Sequence, residues 1–107
     1  MSTERIDKLL KLLEADPDDT FCLYALAQEY AKAGELERAV GQYEALLKVD
    51  PDYLYGYYHL ACACETLGRM DDALSIARQG LERAQAAGND EKARSELAEL
   101  VERFESA

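Results

Sequence analysis

Residues 23–51 read LYALAQEYAKAGELERAVGQYEALLKVDP, and the placement of apolar side chains, glycine and proline in this stretch decides the fold. Leu23, Leu26, Ala27 and Tyr30 recur at helical spacing, and just ahead of them Asp18 or Asp19 can accept from the first unpaired N–H groups. Gly34 ends this helix, because glycine readily takes the left-handed conformation favoured just past a helix end. From Glu35 a second helix turns Leu36, Ala39, Val40, Tyr43, Leu46 and Leu47 inward. Pro51 cannot continue it.

This helix pair is one copy of a longer pattern. The only two prolines, Pro17 and Pro51, are 34 residues apart. At that offset Asp16-Pro17-Asp18 falls on Asp50-Pro51-Asp52, Leu26-Ala27 on Leu60-Ala61, Tyr24 on Tyr58 and Phe21 on Tyr55. Gly34 falls on Gly68, Ala39 on Ala73 and Val40 on Leu74, while Leu13, Leu47 and Leu81 extend the register over three copies. A period between about 20 and 50 residues marks a repeat architecture, in which a unit too small to bury its own apolar face stacks on the next.

The residues of the first copy, Leu23-x₂-Leu26-Ala27-x₂-Tyr30, then Ala39-x₃-Tyr43, then Pro51, resemble the tetratricopeptide repeat, whose pattern is W-x₂-L-G-x₂-Y, A-x₃-F and P. The second copy is weaker: Tyr57-x₂-Leu60-Ala61-x₂-Cys64, then Ala73-x₃-Ala77, with Gln85 where the proline would stand. Small residues at Ala27, Ala39, Ala61 and Ala73 let paired helices approach closely. The resemblance covers roughly residues 4 to 88 and implies an all-α, right-handed α-α superhelix of about six antiparallel helices in a single domain, 1–107. A capping helix over 3–17, with Ile6, Leu9, Leu12 and Leu13 as its apolar side, precedes a first repeat at 18–52 and a second at 53–88. A C-terminal capping helix over 89–106 starts from Asn89 or Asp90 and carries Ala93, Leu97, Leu100, Val101 and Phe104 on one stripe. The predicted helices are 3–15, 19–33, 36–49, 53–67, 70–86 and 89–105.

Composition narrows the partners. Twenty-two acidic residues against twelve basic ones give a net charge of −10, which repels nucleic-acid phosphates and anionic membrane surfaces. The acidity serves either solubility or a basic ligand. Charges at Glu4, Arg5, Asp7, Lys8 and Lys11 break any signal-peptide core, and no stretch approaches the roughly 20 apolar residues of a membrane span. Cys22, Cys62 and Cys64 are an odd number inside helix-like sequence, which predicts reduced thiols and cytoplasmic residence.

Catalytic motifs are absent. His59 is the one histidine, so H-E-x-x-H cannot occur, and six single glycines leave no phosphate-binding loop. Cys62 and Cys64 point about 200° apart on a helix and cannot share a metal, while Cys22 and Cys64 read as small core residues. The pairs Asp18-Asp19 and Asp71-Asp72 read as helix caps and partners of the helix dipole. No catalytic residue, metal ligand or cofactor is expected.

One feature asks for more than packing. Four of the seven tyrosines, Tyr53, Tyr55, Tyr57 and Tyr58, open the second repeat, and from Tyr53 to Cys64 only His59 is plainly polar. In tetratricopeptide arrays the first helices of successive pairs line the concave face, so the resemblance implies an aromatic groove. It sets Phe21, Tyr24 and Gln28 beside Tyr55, Tyr58 and Cys62, with Gln28, His59 and Glu65 as polar readers. Tyrosine suits peptide binding because it joins a rigid apolar body to a hydroxyl. Tyr24, Tyr55 and Tyr58 read equally as core filler, whereas Tyr30, Tyr43 and Tyr57 take motif core positions. A subgroup of the family grips a chaperone's C-terminal carboxylate with lysine, asparagine and arginine; Tyr24, Gln28, Tyr55 and His59 stand at those places here and depart from it. The function implied is a non-enzymatic module binding a protein or peptide. The alternative is homodimer formation through the groove or the C-terminal helix, with Leu97, Leu100 and Phe104 left partly exposed in the monomer.

Overall fold

The computed structural model describes residues 2–107, and these form α-helices with no strand among them. The helices are α1 (Ser2–Ala15), α2 (Thr20–Lys32), α3 (Leu36–Val49), α4 (Leu54–Thr66), α5 (Met70–Ala87) and α6 (Glu91–Glu105). Each boundary lies within two residues of the one predicted. Packing divides the chain into two compact units, one ending at Pro51 and one running from Asp52 to Ala107.

In the first unit α2 packs between α1 and α3. Asp19 is the N-cap of α2, accepting from the Cys22 N–H at 3.1 Å. At the far end Gly34 adopts φ +80°, which lets its own N–H reach Ala31 O and the Glu35 N–H reach Tyr30 O. Those paired bonds satisfy the last carbonyls of the helix and turn the chain back within three residues. Ala27 and Ala39 are fully buried, as the close approach of α2 to α3 requires, and Leu23, Leu26, Tyr30, Val40, Tyr43 and Leu46 complete the core. Leu36 and Leu47, expected inward, are half-buried at its edge.

Helix α1 departs further from expectation. Leu9 is buried, Ile6 and Leu13 are half-buried, but Leu12 is 55% exposed and Leu10 41%. Within the unit α1 packs chiefly on α2, so only a narrow stripe centred on Leu9 is covered. A charged contact supplements it: the Arg5 guanidinium reaches the buried Glu29 carboxylate at 2.9 Å, and Lys32 approaches the same oxygen at 3.5 Å.

The second unit packs α4, α5 and α6 against one another. Gly68, at φ +79°, closes the α4–α5 turn with the same bond pattern as Gly34, from its own N–H to Glu65 O and from Arg69 N–H to Cys64 O. The N-cap of α5 is Arg69, without a side-chain bond; Asp71 and Asp72 lie within the first turn, so they complement the helix dipole but do not cap, correcting the capping part of that reading. Asp90 does cap α6, through the Ala93 N–H at 3.0 Å. Leu97, Leu100 and Phe104 are 1%, 4% and 5% exposed. They fill this unit's own core with Tyr57, Leu60 and Ala77, which corrects the expectation that they stay available for pairing.

Candidate functional site

The eight residues singled out from the sequence fall into two groups, one in each unit. In the first, Tyr24 and Gln28 lie one turn apart on α2. The Tyr24 ring meets Tyr43 edge-on with centroids 6.4 Å apart, and Gln28 Oε1 accepts from the Tyr43 hydroxyl. Tyr43 is fully buried, and Gln28 accepts from its phenol at the edge of the core. Phe21 makes no such commitment: it is 71% exposed at the start of α2.

In the second unit Tyr55, Tyr58, His59, Cys62 and Glu65 follow one face of α4. Tyr55 and Tyr58 meet edge-on at 6.2 Å, and the His59 ring lies 6.3 Å from Tyr55 and 5.3 Å from Tyr58. All three are half-buried, each with part of its ring open to solvent. Burial pushes the His59 pKa down, only partly offset by the nearby Glu96 carboxylate, so the ring stays neutral at physiological pH. Burial likewise pushes the Tyr58 hydroxyl up, helped by Cys62 and Glu96.

Across from this face stands α6. Arg103 Nη2 donates to Glu65 Oε1 at 2.8 Å, and the guanidinium lies 5.2 Å over the Phe104 ring. Burial raises the Cys62 thiol pKa and Arg103 opposes that; the net shift upward is the reverse of what a nucleophilic thiolate needs. Between the helices opens a cleft of about 240 Å³ lined by Tyr58, Glu96, Glu99, Leu100 and Arg103. Among the described residues no cluster of His, Cys, Asp and Glu could hold a metal ion, and no helix is long and apolar enough to cross a membrane.

The α6 wall of the cleft was not legible at a 34-residue offset. Helix α5 has 18 residues where α3 has 14, and the third copy is displaced accordingly. An offset of 37 lays Leu60 on Leu97, Cys64 on Val101, His59 on Glu96 and Cys62 on Glu99, which is the signal that would have found it.

Comparison with known proteins agrees with this architecture. Two models described as tetratricopeptide repeat match residues 20–53 and 54–87. A tetratricopeptide repeat domain protein from Salinibacter ruber is 43% identical, with a TM-score of 0.78 over 85% of this chain and 91% of that one. The structure of PcrH in complex with the chaperone binding region of PopD superposes with a TM-score of 0.92 over 98% of this chain and 79% of that one, at 19% identity. Mouse outer dynein arm-docking complex subunit 4 is 31% identical over 78 residues, which is 73% of this chain and 12% of the mouse protein. The chain belongs to the tetratricopeptide repeat family. Its fold is the all-α tetratricopeptide fold, and domains of this family are protein–protein interaction modules.

Proposed function

We propose that this chain is a non-catalytic interaction module that holds a peptide or partner helix against the α4–α6 face of its second unit. The observation that carries the reading is the cleft beside Tyr58, where a half-buried tyrosine and Leu100 form an apolar floor between charged walls. Tyrosines fixed edge-on to one another lose little freedom on binding, so their area converts efficiently into affinity. Tyr55, Tyr58, His59, Cys62 and Glu65 are the proposed contacts on this face, and Phe21, Tyr24 and Gln28 are a separate candidate group on the first unit. PcrH, which shares the fold, holds a segment of PopD, which supports peptide capture as the mode. Cytoplasmic residence, in keeping with three cysteines outside any disulfide, is part of the same reading.

The test is affinity capture on the immobilised chain with Tyr58→Ala beside it, both checked for folding by circular dichroism. A partner held by the wild type should bind the variant about 2 kcal/mol more weakly, roughly thirtyfold. A partner retained equally by both would overturn the reading. Light scattering on the unliganded chain decides the alternative, since a dimer dissociated by Tyr58→Ala would make the face a contact between copies.

A further inference from the structure

Resting on that reading, we infer that the α4–α6 cleft selects a peptide segment carrying a lysine or arginine beside an apolar residue. The cleft holds three charged side chains, and their engagements differ. Arg103 is already engaged, with Glu65 at 2.8 Å and over the Phe104 ring. Its charge is therefore balanced by Glu65. Glu96 and Glu99, one turn apart on α6, form no ion pair among the described residues, and both line the cleft.

An incoming anion would meet two uncompensated carboxylates and one arginine already in use. A cation would meet the carboxylates directly, with its aliphatic stem lying on Tyr58 and Leu100. The tyrosine ring adds attraction for a cation near its face. His59 contributes no competing positive charge, being neutral, and the chain's net charge of −10 draws basic segments toward it from a distance. The apolar floor of the same cleft accommodates the neighbouring apolar side chain of the ligand.

The probe is a phage library displaying random twelve-residue peptides, selected on the intact chain and on E96Q/E99Q. Glu99 is exposed and Glu96 half-buried, neither belongs to the buried stripe of α6, and circular dichroism checks the helix content. Wild-type selection should enrich lysine or arginine next to leucine, phenylalanine or tyrosine, and the double variant should lose that bias. The best basic peptide should bind the variant about tenfold more weakly or worse, and raising the salt concentration should narrow the gap. Enrichment of acidic or uncharged peptides that Tyr58→Ala abolishes would overturn the inference while leaving the interaction site standing. Enrichment unaffected by either variant, or none at all, would overturn both.

Discussion

Gly80 of α5 sits directly against Tyr57 of α4: a Cβ built on the glycine would stand 2.5 Å from the tyrosine Cβ and 3.0 Å from Leu97 of α6. The missing side chain is what lets three helices share one core. Gly80→Ala should lower stability by about 1–3 kcal/mol, measured by urea unfolding, because the Tyr57 Cβ is fixed to its helix backbone and cannot move aside. Gly41, with nothing within 4 Å of its position in α3, gives the opposite sign. Gly41→Ala should stabilise by roughly 0.5–1 kcal/mol through helix propensity alone.

The buried carboxylate of Glu29 depends on the Arg5 guanidinium at 2.9 Å more than on Lys32 at 3.5 Å, whose side chain is 72% exposed. Arg5→Ala should destabilise by about 1–3 kcal/mol, since it leaves a buried charge with a poorer partner. Lys32→Ala should stay within roughly 0.5 kcal/mol. Amide exchange in α1 should accelerate in the first variant only.

His59 predicts a pH dependence. Its pKa is lowered in the folded chain, so in the window between the folded value and the ordinary histidine value the unfolded chain binds the extra proton. Stability from this group is therefore complete above the ordinary value and is lost as pH falls through the folded one. His59→Gln should remove that part of the slope, seen as a smaller fall in urea midpoint between neutral and mildly acidic pH.

Asp19 and Asp90 each accept from a backbone N–H three residues on. Replacing either by alanine should cost about 1 kcal/mol, read from thermal midpoints. Phe21→Ser, at a site 71% exposed, should leave stability within roughly 0.5 kcal/mol, and any effect it has should appear in partner binding.

These contrasts show what a one-dimensional reading could reach. Helix ends were legible because Gly34, Gly68, Asp19 and Asp90 act through their immediate neighbours, and the apolar stripes follow one helical period. Leu12 and Leu97 misled because period alone does not say how many helices cover a face: α1 packs chiefly on one in its unit, α6 on two. Gln28, a polar reader in the sequence reading, has an oxygen that accepts from Tyr43, 15 residues away, a pairing no local pattern encodes. The Arg103–Glu65 pair, 38 residues apart, lay beyond the repeat register for the same reason.

The glycine turns also bear on how the chain reaches this state. With three residues between α2 and α3, and three between α4 and α5, each helix pair closes at small loop-closure entropy and before any distant segment need arrive. Assembly from such hairpins is fast. It also means that both helices of the α2–α3 pair have left the ribosome, and can meet, before α4 is made.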